Sequence, residues 1–171
     1  TSRGLGDVYK RQGYTKDEET VINLLEKIFM NRQIVTLIHE NMVSRLASLI
    51  TGYILDEAPS MFVGTFGITS ESGVNVNRDR IMHYAHNSGL IHDIGKIMCT
   101  DVVNLQFRKI CDLEFDIVKK HAGRGSEMIK YIPALAEYND VVLGHHKYYN
   151  GKGGYPQEFD LSLIHISEPT R

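Results

Sequence analysis

The sequence predicts an all-α domain, on three observations. Apolar residues recur at helical spacing along most of the chain, strand-like alternation is almost absent, and recognisable caps and stops bracket the periodic stretches. Asp17 is placed to cap a first helix running to Arg32, with Val21, Leu24, Leu25, Ile28 and Phe29 on one side. A second helix is predicted from Ile34 to Leu55, its apolar face formed by Val35, Ile38, Met42, Val43, Leu46 and Ile50, with His39 among them. Residues 59–77 contain Gly64, Gly67 and Gly73 and read as a loop with at most one helical turn. Asp79 opens a helix leading to His92-Asp93, which Gly95 ends or bends. After a short segment at 101–105, Asp112 caps a helix reaching His121, and Gly123 and Gly125 loosen the junction before Met128, Ile129 and Ile132. Pro133 stops that helix, and residues 134–146 form the last one. Met42, Met61, Met82 and Met98 are expected in the core.

The two ends do not read as protein. Reverse-translated, residues 2–12 (SRGLGDVYKRQ) and 161–171 (LSLIHISEPTR) are reverse complements, Leu161 as CTG opposing Gln12 as CAG and Arg171 as AGA opposing Ser2 as TCT. The strings match a transposase-inserted sequencing adapter read on both strands. Residues 1–12 and 161–171 are therefore set aside as translated adapter, His165 with them, and 13–160 is expected to be one partial domain cut from a longer gene. Setting aside Arg3, Lys10, Arg11 and Arg171 with Asp7 and Glu168 moves the formal net charge from −2 to about −4. That mild acidity argues against a DNA or RNA binder, which presents a basic face. Cys99 and Cys111 form no CxxC pair and no disulfide framework, which points to a reducing, cytoplasmic compartment. No stretch reaches the ~18 consecutive apolar residues of a membrane span, so this segment is expected to make no membrane contact, whatever anchors the parent protein.

The histidines carry the chemistry. His39 stands on a helix, His92-Asp93 opens the string HDIGK, His121 begins HAGRG, and His145-His146 precedes NGKGGYP. Imidazole and carboxylate together suit divalent metals, and six such groups suffice for two ions. Adjacent helical residues diverge by about a quarter turn, so His92 and Asp93 reach one dinuclear centre from neighbouring directions, with Asp93 bridging. Lys96 follows one turn later, placed to meet a phosphate oxygen. Each residue also has a plain reading alone: His92 as a helix-end histidine bonded to backbone, His39 as a core histidine, His121 as a C-terminal cation, and the 150–156 glycines as ordinary turn formers. His83 and His86 read as surface or supporting residues.

The arrangement resembles the HD-GYP family of metal-dependent phosphohydrolases, His92-Asp93 supplying the HD and Gly154-Tyr155-Pro156 the GYP. The resemblance covers nearly all of 13–160. It implies an HD-type helical bundle around two divalent ions, iron or manganese, held by His39, His92, Asp93, His121, His145 and His146. It implies hydrolysis of cyclic di-GMP to linear pGpG and GMP, with Asp93 and Lys96 catalytic, Lys96 and Tyr155 meeting substrate, and the Gly154-Tyr155-Pro156 loop contacting cyclase or sensor domains. The chain departs from the family pattern at Lys147 and Asn150, where acids are usual, and in one additional glycine before Tyr155. Val35 stands where some members carry a glutamate, which favours two ions over three. A further metal aspartate usual in the family falls beyond 160, where adapter sequence stands. The competing readings are an HD phosphohydrolase of another nucleotide and a degenerate interaction module working through the GYP loop.

Overall fold

A computed structural model describes residues 17–104, 108–148, 150 and 152–159; the adapter-like stretches 1–12 and 161–171 lie outside the described residues. Among the described residues the secondary structure is entirely helical, apart from one isolated bridge between Lys147 and Gly154. The α-helices are α1 (Glu18–Arg32), α2 (Ile34–Glu57), α3 (Glu71–Val76), α4 (Arg78–Ile91), α5 (Thr100–Val103), α6 (Asp112–Lys119), α7 (His121–Ile129) and α8 (Asn139–Gly144). Short 3-10 turns at Pro59–Phe62, Thr65–Gly67, Ile94–Cys99 and Pro133–Tyr138 connect them.

Asp17 caps α1 as expected, its carboxylate accepting from the Thr20 N–H at 3.0 Å. The buried side of α1 is Ile22, Leu25 and Phe29, whereas Leu24 is exposed. Gln33 joins α1 to α2 and is buried. Its amide donates to the Lys96 carbonyl and to the Thr100 hydroxyl, both at 2.6 Å, so the junction is pinned to the segment following His92-Asp93.

The largest departure from expectation is the orientation of α2. Val35, Ile38, Met42, Leu46 and Ile50, expected to face inward, are about half or more exposed. The buried residues are instead Thr36, Leu37, Glu40, Ser44 and Leu55. Packing overrides hydropathy because α2 lies along α4 at close range. A Cβ on Gly89 of α4 would stand 2.3 Å from the Ser44 Cα, so only small residues let the two backbones approach this far. Ser44 Oγ donates to the His86 carbonyl at 2.8 Å across that contact.

The main core gathers Ile22, Leu25, Ile91, Ile94, Ile129, Leu135, Tyr138 and Val142 from six segments. At roughly 1.5–3 kcal/mol per fully buried large apolar side chain, this cluster ties α1, α4, α7 and α8 into one bundle. A smaller cluster of Leu55, Ile68, Val74 and Ile81 sits under the far end of α2 and makes 59–77 more helical than a loop. Met42, Met61 and Met98 are exposed rather than core, and Met82 packs against the smaller cluster.

Other boundaries shift. Cys111, not Asp112, occupies the cap position of α6, with Glu114 accepting from the Cys111 N–H at 2.8 Å. His121 starts α7 rather than ending α6. The expected last helix is divided into the Pro133–Tyr138 turn and the short α8, the Asn139 N–H bonding to the Ala136 carbonyl three residues back in the tighter 3-10 pattern. His145-His146 therefore lies in the turn after α8.

Candidate metal centre

Three helix ends and the second turn of α2 converge on one carboxylate. Asp93, 1 % exposed, lies in the turn between α4 and the Ile94–Cys99 segment. Its Oδ2 faces His92 Nε2 at 3.1 Å and His39 Nε2 at 3.5 Å. Its Oδ1 faces His121 Nε2 at 3.0 Å and His145 Nε2 at 3.5 Å. The donor atoms form two groups sharing Asp93: His39 with His92, and His121 with His145 and His146. One carboxylate thus serves two nitrogen sets, one per oxygen. Close backbone approach makes this convergence feasible. A Cβ on Gly95 would fall 1.9 Å from the His121 carbonyl oxygen, so α7 reaches the Asp93 turn only over glycine.

The hydrogen bonding of the rings fixes which nitrogen is presented. Nδ1 of His92 lies 2.8 Å from the Gly89 carbonyl, Nδ1 of His121 2.5 Å from that of Val118, and Nδ1 of His145 2.9 Å from that of Val142. A carbonyl only accepts, so each Nδ1 carries the proton and each Nε2 turns a lone pair inward. Those lone pairs meet: His121 and His145 Nε2 are 3.1 Å apart, His39 and His92 Nε2 3.3 Å. Asp93 Oδ1 is buried among them without a donor.

Burial pushes the His146 ring down to about 3, with His145 and His121 adding repulsion. Burial likewise lowers His39 and His145. Imidazoles whose Nε2 lone pairs turn inward around a buried, donor-less carboxylate oxygen form a divalent-metal ligand set, so the residues fit two ions sharing Asp93.

The remaining sequence-derived residues take distinct places. Lys96 Nζ donates to Asp93 Oδ2 at 2.6 Å, the permanent positive charge of that side. Tyr155 stacks on His146, centroids 4.3 Å apart, and stands edge-on to His121 at 6.1 Å. It braces the ring from behind: a cavity of about 420 Å³ is lined by His39, His92, Asp93, Lys96, His145 and His146, while Tyr155 and Pro156 border a separate groove beside Lys119, Lys120 and Arg124. His83 and His86 stay outside both ligand groups, facing Glu18 at 3.3 Å and Ser44 at 2.8 Å.

Sequence reasoning passed over Glu40. It follows His39 on α2 but points inward, 1 % exposed, and its Oε1 has no hydrogen-bond partner. Burial pushes its carboxyl up to about 9, and the Asp93 charge adds to the effect. Its position beside an expected metal histidine was the available signal, masked by the assumption that the apolar face of α2 turns inward.

Comparison with known proteins adds two relatives. A cyclic di-GMP phosphodiesterase of Pseudomonas aeruginosa is 36% identical over 92 residues, 52% of this chain and 21% of the relative. A cyclic di-GMP phosphodiesterase of Vibrio cholerae is 29% identical over 89 residues, 48% of this chain and 18% of the relative. The chain thus spans about a fifth of the length of these curated relatives. No protein-family model matches the chain, and no solved structure matches it significantly. Both relatives support the HD-GYP resemblance of the histidine pattern.

Proposed function

We propose that this chain carries the metal-dependent phosphohydrolase part of a cyclic di-GMP phosphodiesterase, acting in bacterial second-messenger signalling and releasing linear pGpG and then GMP. The observation that carries the reading is the sharing of Asp93: its two oxygens face two separate nitrogen groups, the ligand pattern of a dinuclear centre. The relatives supply the substrate class. His39, His92 and Asp93 would hold one ion, and Asp93, His121, His145 and His146 the other, with iron or manganese the ions that the family resemblance implies. Bound there, the pair would supply Lewis acidity toward the phosphoryl oxygens and lower the pKa of a nearby water.

The protein's own groups do the positioning. The carbonyls of Gly89, Val118 and Val142 hold three rings in the ligating tautomer. Lys96 Nζ, already on the Asp93 carboxylate and lining the cavity, adds fixed positive charge where a phosphodiester would lie. Tyr155 keeps the His146 ring in place. The Gly154-Tyr155-Pro156 loop, bordering its own groove, is the contact proposed for cyclase or sensor domains.

The decisive experiment is anaerobic metal analysis of the purified chain beside Asp93→Ala, followed by a cyclic di-GMP turnover assay. The expected result is close to two ions per chain, none in the variant, and pGpG formed only by the loaded protein. Metal-free protein in both cases sinks the reading.

A further inference from the structure

A second cavity adjoins the metal cavity and has no role in holding the ions. It measures about 450 Å³ and shares Ala47, Ser88 and Val141 as a common wall with the first. Its other walls are strongly apolar and aromatic: Phe62 and Phe66 from the connection after α2, with Ile81 and Tyr84 from α4. Thr51 and Thr65 add hydroxyls at its margin. The volume falls within the range of small-molecule sites, and an apolar pocket with few polar groups is the usual form of such a site.

Three features distinguish this space from a packing gap. The Ser88 hydroxyl oxygen, on the wall between the cavities, is buried without a hydrogen-bond partner, a rare state for a native polar group. Phe66 holds a left-handed backbone conformation (φ 51°) that a bulky residue rarely adopts, so its placement is imposed by its surroundings. The aromatic walls are also braced by one another and by neighbours behind them. Phe66 meets Tyr84 edge-on at 5.0 Å, the Arg80 guanidinium lies 4.6 Å over the Phe66 ring, and Tyr84 stacks on Tyr138 at 5.1 Å. Fixed rings with a free hydroxyl at their edge suit a flat heteroaromatic ligand, which stacks by its face and hydrogen-bonds by its rim.

We propose that this cavity is the nucleobase subsite: it takes one purine of the dinucleotide while the phosphodiester lies against Lys96 and the metal ligands, with Ser88 bonding the base edge. The assignment rests on the phosphodiesterase reading above. It makes Phe66, Tyr84 and Ser88 determinants of substrate binding rather than of the bond-breaking step.

The test separates the two claims by using a probe without phosphate. Guanosine is titrated into the metal-free chain and followed by saturation-transfer NMR, with ribose as the control lacking a ring. The same titration is run on Ala85→Phe and Thr51→Leu, each of which fills the cavity from a different helix, after circular dichroism confirms the fold. In parallel, the manganese-loaded proteins are assayed on cyclic di-GMP. The expected result is saturation by guanosine but not ribose in the parent chain and its loss in the folded variants. KM should rise about tenfold or more with kcat nearly unchanged, the pattern of lost uniform binding. Cyclic di-GMP turnover with unchanged KM in either folded variant, and no guanosine signal, overturns the subsite and leaves the enzyme reading standing. Equal saturation by ribose also overturns it. Guanosine binding lost in the variants, with no phosphodiester turnover by any protein, supports the subsite and breaks the hydrolase reading instead.

Discussion

The two sides of Asp93 are built differently. On the Oδ1 side, His121 is wholly buried and His145 nearly so, and both stand at the ends of short helices locked into the main core. On the Oδ2 side, His92 is buried but His39 is half exposed on α2, with Lys96 already on the carboxylate. One half is enclosed by core packing, and the other depends on how closely α2 lies along α4. A ligand set can therefore be chemically balanced and still mechanically unequal, the enclosed half being the more preorganised.

The largest expected effect tests that inequality directly. His121→Ala should remove one ion and weaken metal retention by more than about a hundredfold, above the range typical for loss of a supporting partner, whereas His39→Ala should weaken it about tenfold. Chelator titration of the two variants checks this, and equal losses break the comparison.

Glu40 probes the polypeptide behind the open half. Its carboxyl ordinarily titrates near 4.5 and in the fold near 9. Above pH 4.5 the unfolded chain gives up a proton that the folded chain keeps, so stability is full below that pH and falls as pH rises towards 9. In the metal-free protein, Glu40→Gln should gain on the order of 5 kcal/mol at pH 8 and almost nothing at pH 4.5. Urea unfolding at both pH values measures the difference, and a pH-independent gain refutes it.

Gly89→Ala comes next. Its new methyl meets the Ser44 backbone, forcing α2 away from α4 at a cost of about 1–3 kcal/mol. It should loosen the His39 side while leaving the His121 side able to hold one ion, a split visible in metal stoichiometry. The smallest effect is expected on the outer face of α2. Leu49, 72 % exposed, should tolerate Leu49→Gln within about ±0.5 kcal/mol, while the buried Leu37→Ala should cost about 2–5 kcal/mol. Comparable losses at both would show that α2 is turned the other way.

Much of this molecule was legible in the sequence. Helical periodicity and the scarcity of alternation gave the all-α class, because those patterns report local backbone preference. Asp17 marked the start of α1 through a cap that needs only neighbouring atoms. The six metal-binding candidates were recognisable from residue type and the motifs around them, since few side chains offer both imidazole and carboxylate chemistry. What only the tertiary structure decided was direction and division. Hydropathy turned α2 the wrong way, because its inward face is set by small residues at the α4 contact rather than by the most apolar stripe. The assignment of the ligand histidines to the two oxygens of Asp93 arises between segments far apart in the sequence, from His39 on α2 to His145 after α8. The burial that lifts Glu40 and the cavity beside Ser88 belong to packing among several helices, which no local pattern encodes.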